Sequence, residues 1–214
     1  MKILVIGANG GIGKQMVEMA LHAGYEVTAV LRNPSRLPIT HANLTIFKGD
    51  ILQPETFEKY LENSDAVISA IGVSGGLLGD KPTTIYSQGN ASLLRAMHKM
   101  GVKRAFFISA SALDISPLQP FFVKLVTRYV IQKLLRHMYT DLREMEKIIR
   151  ESAVQWTIIR PPQLTDGPST GLYRFRINGF LPNCLRISRA DVAHFMMHHL
   201  LDPETYEGVV EMAY

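Results

Sequence analysis

Short apolar runs rich in β-branched residues alternate along the chain with longer segments in which apolar positions recur every three or four residues. Lys2-Ile3-Leu4-Val5-Ile6 has no polar alternation and predicts a strand buried on both faces. Residues 11–23 follow, with Ile12, Met16, Ala20 and Ala23 along one helical face. Further strands are predicted at 26–31, 44–47, 66–71, 104–109 and 156–159, and a final one at 209–212. The helical segments between them are 54–62, opened by Pro54, then 83–100 and most of 118–151. A polar loop containing Pro and Gly follows the sixth strand, and 188–201 reads as the last helix, with Ser188 in the N-cap position and Asp191 three residues on. Strands without polar alternation, each followed by a helix, predict an α/β fold. Its doubly wound, mainly parallel sheet of six or seven strands would be covered by helices on both faces.

Composition narrows this only slightly. At 214 residues, 47% hydrophobic and 20% charged, the chain fits one domain with an ordinary core, and no repeat or linker interrupts it. Cys184 is the single cysteine, so neither an intrachain disulfide nor a cysteine-built zinc site is expected, and a reducing, cytoplasmic setting fits. Only four apolar residues follow Met1-Lys2 before Gly7, which is too few for a secretory leader. The densest apolar stretch, 118–135, is broken by Lys124, Arg128, Gln132 and Lys133, so no membrane span and no membrane partner are expected. The net charge is +4 and no basic run is interleaved with aromatics, so no nucleic-acid partner is expected either.

The candidate chemistry starts at the first strand–helix junction. Gly7-Ala8-Asn9-Gly10-Gly11-Ile12-Gly13 places glycines at 7, 10 and 13 between a strand and a helix. A dinucleotide loop needs glycine there for a tight turn, for close approach to a pyrophosphate and for helix–strand packing, while the helix N-terminus offers N–H groups to the phosphates. The alternative is a glycine-rich turn without a ligand. With the loop in this setting, the fold is of Rossmann type. The end of the second strand would select the cofactor. It reads Leu31-Arg32-Asn33-Pro34-Ser35-Arg36, with no acid between Glu26 and Asp50 to bind a ribose 2′-hydroxyl. Arg32 and Arg36, with the Ser35 hydroxyl, suit a 2′-phosphate and so predict NADP(H); solvated loop charges are the alternative. Gly49-Asp50-Ile51 follows the third strand, where Asp50 either accepts from an adenine amino group or caps the turn before Pro54. Ala70-Ile71-Gly72 ends the fourth strand with residues small enough to let backbone approach a cofactor. A small substrate-side cap is expected from about 111–140 and 161–187.

With these residues in view, the chain resembles the atypical short-chain dehydrogenase/reductases, particularly the biliverdin-IXβ reductase (flavin reductase) group and NmrA-like NAD(P)H-binding proteins. The resemblance covers nearly the whole chain. It rests on the loop at 7–13, Gly24-Tyr25-Glu26-Val27-Thr28, the segment from Arg32 to Pro38, Gly49-Asp50 and Pro82-Thr83-Thr84. It continues through Arg160-Pro161-Pro162, Asp166-Gly167-Pro168, Thr170-Gly171 and Ile187-Ser188-Arg189-Ala190-Asp191. The resemblance implies NADPH-dependent reduction of flavins such as FMN, and in some members of biliverdin or quinone-like acceptors. It also adds Pro161 to the cofactor residues. Two departures lie on the substrate side: Gln163 stands where the animal reductase often has a histidine, and 115–138 is longer and more apolar.

In short-chain reductases a serine after the fifth strand bonds the substrate carbonyl, which points to Ser111, or alternatively Ser109. Tyr129 and Lys133 have the Tyr-x-x-x-Lys spacing of a proton-transfer pair. They lie, however, in a stripe with Phe122, Leu125 and Val126 that reads better as packing or as an acceptor pocket. Tyr139 and Arg143 share the spacing but lack the lysine, and Asp141 with Glu144 reads as a capping box. A chain without a clear acid suits an acceptor that spreads charge over a π-system and takes its proton from water. The expected function is therefore hydride transfer from NADPH to a small conjugated acceptor by a monomer or weak homodimer. The alternative is a non-catalytic NADP-binding redox sensor acting through a protein partner. An isomerase or epimerase using the cofactor transiently fits less well without a Tyr/Lys pair. His194 and His198 lack the glutamate of a zinc helix, so no metal is expected. Trp156 reads as core and Cys184 as structural. Arg174 and Arg176 form either a basic rim for an anionic acceptor or a solvated strand face.

Overall fold

The computed structural model describes residues 1–72 and 82–214. Its strands are β1 (Lys2–Ile6), β2 (Glu26–Leu31), β3 (Leu44–Lys48), β4 (Ala66–Ser69) and β5 (Arg104–Ile108). After them come β6 (Gln155–Arg160), β7 (Gln163–Thr165), β8 (Arg174–Ile177), β9 (Arg186–Ser188) and β10 (Gly208–Ala213). The helices are α1 (Gly11–His22), α2 (Ile85–Met100), α3 (Phe121–Val126), α4 (Gln132–Leu134), α5 (Arg136–Arg150) and α6 (Arg189–His198). Eight strands pair in the order β3-β2-β1-β4-β5-β6-β10-β8, and β7 pairs with β9 separately. Every pairing in the large sheet is parallel except that of β8 with β10. The sheet is Rossmann-like and doubly wound. Strand order reverses between β1 and β4, the crevice where ligands settle in such sheets.

Alternation along each strand divides the core. Ile3 and Val5 of β1, Phe106 of β5 and Ile159 of β6 join one cluster, on the face that α1 and α6 cover. Leu4 and Ile6, Phe107, and Ile158 with Trp156 join the other, beneath α2 and α5. The sheet is thus buried on both faces, the physical reason its inner strands carry no polar alternation.

The elements differ from the sequence expectation where local pattern is weak. The segment 54–62 forms two 3₁₀ turns, Pro54–Thr56 and Glu58–Leu61, in place of one helix. The predicted helix over 118–151 starts at Phe121 after Pro120, passes through a π-helical turn at Thr127–Ile131 and breaks at Leu135 before α5. The loop after β6 holds β7, β8 and β9, so the large sheet has eight strands, not six or seven. Arg174 and Arg176 lie on edge strand β8. Arg174 donates to the carbonyls of Pro182 and Tyr214 and Arg176 to that of Phe180, and neither lines the main cleft. Among the described residues no helix is long and apolar enough to cross a membrane.

One buried cation ties the sheet to its C-terminal layer. Arg104, 2% exposed, lies with Phe106 and Tyr206 ring centroids 4.1 and 4.6 Å from its guanidinium carbon. It donates to the carbonyls of Leu200, Gln155 and His199 and to the hydroxyls of Thr157 and Thr205. Burial pushes its pKa down to about 10, with Tyr206 and Asp202 opposing, so it stays charged at neutral pH. Arg104→Met would leave these acceptors without their donor. We expect it to lower the free energy of unfolding by about 3 kcal/mol, read from urea midpoints at unchanged slope. A loss below about 1 kcal/mol would show that the acceptors find other partners.

Candidate functional site

A cleft of about 770 Å³ opens at the carboxyl ends of β1, β2, β4 and β5. Its floor is the turn from β1 into α1. Gly7 has φ +80°, a conformation suited to glycine, and a Cβ there would sit 2.5 Å from the Ala70 carbonyl oxygen. A Cβ at Gly13 would sit 2.3 Å from the Gly7 carbonyl oxygen. Gly13 does not line the cleft but lets α1 close onto β1. Gly10 donates back to Gly7 and stands at the N-cap. No side chain caps α1 there and no acid occupies its first turn, so the helix presents N–H groups to the cleft beside Asn9, Gly11 and Ile12. The other edge of the floor is Ala70, Ile71 and Gly72. β4 stops at Ser69, two residues before its predicted end, although the Ala70 amide still bonds to the Ile6 carbonyl of β1.

Arg32 and Arg36 line the cleft at the end of β2, and neither makes an ion pair among the described residues. Asn33 shapes the turn between them by accepting from the Ser35 amide at 3.2 Å and hydroxyl at 2.7 Å. Ser35 therefore spends its proton on Asn33 and lies outside the lining residues. Asp50 and Ile51 line the adjoining wall, and one Asp50 oxygen accepts from the Leu52 amide at 3.0 Å, the local turn bond. Arg189 adds a cation that sequence reasoning left unassigned. It opens α6, and a Cβ at Gly11 would fall 2.2 Å from its Cδ. Its guanidinium donates to the exposed Asp166 at 2.6 Å. A cation directly after the Ser188 cap was the available signal, but only the packing of α6 on α1 brings it to the loop.

The far side of the cleft is apolar, with Ile85, Ile108, Met138, Leu142 and Leu164. Tyr86 also lines it and was missed in the sequence, where it is one residue in the first turn of a helix. The serine candidates separate. Ser109 lines the cleft, but its hydroxyl donates at 2.6 Å to Glu146, which is buried. Ser111 starts a 3₁₀ turn, its amide bonded to the Pro161 carbonyl, and neither Ser111 nor Pro161 lines the cleft. Glu146 also accepts two bonds from Arg160, which reaches Asp114 with its remaining arm. Burial opposes the Arg160 charge, but its bonds to Glu146 and the Glu146 and Asp114 charges outweigh it and raise the Arg160 pKa.

The Tyr129/Lys133 pair is not in the cleft. Tyr129 is 64% exposed, and the stripe of Phe122, Leu125 and Tyr129 faces away from the apolar wall, which Met138 and Leu142 supply instead. Tyr139 is buried, which raises its pKa against the pull of nearby Arg143, and a raised pKa makes it a poorer acid. Asp141 does not cap its own helix, which starts at Arg136. Its carboxylate accepts from the Tyr86 and Ser87 amides and the Ser87 hydroxyl, capping α2 across the cleft wall. Gln163 is exposed at the start of β7 and does not line the cleft, whereas its neighbour Leu164 does. Burial and the nearby Glu211 push the Cys184 thiol up to about 12, in keeping with a structural role.

The loop after β7 is held chiefly through one buried carboxylate. Asp191, fully buried, accepts from the Thr170 amide and hydroxyl, the Gly171 amide and the Tyr214 hydroxyl, while the Asp191 amide donates to the Ser188 hydroxyl. This web fixes the start of α6 and with it Arg189.

Residues 7–203 match the family described as NAD(P)H-binding. An uncharacterized chloroplastic protein of Arabidopsis thaliana is 28% identical over 99% of this chain and 76% of its own length. A short-chain dehydrogenase/reductase of Veillonella parvula, solved in complex with NADP, superposes with a TM-score of 0.80 at 21% identity, covering 100% of this chain and 94% of that one. ChuY, an anaerobillin reductase of Escherichia coli O157:H7, does so with a TM-score of 0.75 at 20% identity, covering 99% and 96%. At these identities the two structures speak for the fold.

Burial works to raise the Asp191 pKa, and the bonds from Tyr214, Gly171 and Thr170 outweigh it and hold the pKa below the ordinary 3.8. A carboxyl whose pKa falls on folding contributes its full stability above the unfolded value and loses it as pH drops through the folded one. Asp191→Asn is therefore expected to cost about 2 kcal/mol at pH 7, with the gap to wild type shrinking below about pH 4. Urea unfolding of both proteins between about pH 7 and pH 3 checks this; a gap that stays constant in acid would contradict it.

Proposed function

The chain belongs to the NAD(P)H-binding family and has the fold of the short-chain dehydrogenase/reductases, and on that footing we propose that it is an NADPH-dependent reductase passing hydride to a conjugated acceptor such as a flavin. The observation that carries this reading is the state of the candidate donors. Ser109 gives its proton to Glu146, Ser111 lies off the cleft, and Tyr129 with Lys133 lies outside it. A simple ketone needs a placed proton donor as alkoxide charge builds. A flavin, or a biliverdin or quinone, spreads that charge and takes its proton from water. The wall of Ile85, Ile108, Met138, Leu142 and Leu164 offers a flat ring an apolar face.

The residues present fit the cofactor. The uncapped start of α1, the side-chain-free approach at Gly7 and Gly10, and Arg189 would hold the pyrophosphate. Arg32 and Arg36 would clamp a 2′-phosphate. Bound there, the nicotinamide supplies the hydride; the protein's part is to hold it against the acceptor and shape the cleft. That ChuY is named a reductase agrees with this reaction class.

Two measurements test the reading. Steady NADPH oxidation is expected with FMN or riboflavin in a panel that also includes quinones and biliverdin. Tight NADPH binding with no turnover across that panel would sink the reductase and favour a redox sensor working through a protein partner. Arg32→Ala is expected to weaken NADPH on the order of 10- to 100-fold while leaving NADH within about twofold. Equal weakening of both would remove the 2′-phosphate assignment.

A further inference from the structure

The helical stretch of α3, the π-helical turn and α4 has two unlike faces. Thr127 is buried, and Ile131, Leu135 and Met138 pack onto the core beneath α5, following a helical i, i+4, i+8, i+11 spacing. The opposite face carries Phe121 (76% exposed), Phe122 (73% exposed), Leu125 and Tyr129, with Val130 and Leu134 at its margin. Apolar side chains of this size rarely gather in the open on a protein surface without a partner.

Charge narrows the choice of partner. Between residues 115 and 140 the chain has Lys124, Arg128, Lys133 and Arg136 and no acidic residue; all 19 acids lie elsewhere. Arg128 and Lys133 are exposed and make no ion pair among the described residues. A second copy of the same face would set four cations against four cations, so self-association there is opposed. Aromatic and aliphatic groups flanked by unpaired lysine and arginine match a surface that is apolar below and anionic above.

We propose that the exposed face of residues 121–134 docks onto an anionic lipid bilayer, lying in the interfacial plane with Phe121 and Phe122 inserted. The missing membrane span, from which no membrane partner was expected, does not bear on a helix that lies flat. Gln132 ties the segment to the carbonyls of Ala112 and Leu113, and Met138 just beyond it lines the cleft. The docking itself does not depend on which acceptor is reduced.

The test is co-sedimentation of the full chain with vesicles of phosphatidylcholine alone or mixed with phosphatidylglycerol, at low and high salt. Binding is expected only to the anionic vesicles, and to fall on the order of tenfold as salt rises from about 0.05 to 0.5 M. Phe121→Ser with Phe122→Ser should abolish it. Arg128→Glu, which changes the charge by two units, should lower it on the order of 30-fold. All three positions are exposed, so circular dichroism and NADPH binding should match wild type. The proposal is overturned by no sedimentation with any vesicle, or by equal binding to neutral ones. It is also overturned if the phenylalanine pair instead abolishes a concentration-dependent dimer, or the capture of an acidic protein, with vesicle binding absent.

Discussion

The close passage of the β1–α1 turn across the end of β4 sets the geometry on which the cleft depends. Gly7 lies against the Ala70 carbonyl and Gly13 against Gly7, contacts with no space for a Cβ on either side. Because the turn is that tight, α1 starts directly above the point where strand order reverses, and its N–H groups face the cleft rather than a cap. The three arginines at the cleft gather around this point from two distant parts of the chain. Arg32 and Arg36 come from the end of β2, one strand away, and Arg189 from α6, which lies on α1.

The parts of the chain that could be read in advance are those whose cause is local. The buried strands, the glycine turn, the Ser188 cap and the paired arginines each follow from a pattern within a dozen residues. What escaped depends on distant partners. Ser109 meets Glu146 across 37 positions and Asp141 caps α2 across 55, so no spacing rule reaches either. β8 pairs antiparallel at the sheet edge, where Arg-Phe-Arg-Ile is held by carbonyls of its own loop and by β10. Its alternation was visible, but its neighbour was not. The apolar stripe near Tyr129 had the right period, and the side it turns to was decided by the packing of Ile131 and Met138.

The two halves of the cleft obey different physics. One half is built from backbone N–H groups and cations, of which Arg32 and Arg36 make no ion pair among the described residues. On the apolar side, the ionisable groups nearest the fifth strand satisfy one another. Glu146 binds Ser109 and Arg160, and Arg160 binds Asp114, so this network stiffens the junction of β5, β6 and α5. Binding strength would accordingly be concentrated on the dinucleotide, while the acceptor meets a shaped apolar wall with few polar demands. On the proposed reading, such a wall would accept a range of flat rings.

Trp156, the single tryptophan, is buried in the cluster beneath α2 and α5, with the Arg150 guanidinium 5.5 Å from its ring. It belongs to that cluster and not to the opposite one that α1 and α6 cover. Its tryptophan fluorescence is therefore a one-sided reporter, which the tyrosines packed on the other cluster, Tyr25 and Tyr173, are not. Its emission follows the loosening of α5 and the layer behind the acceptor wall, and stays blind to fraying of the helices that frame the phosphate loop.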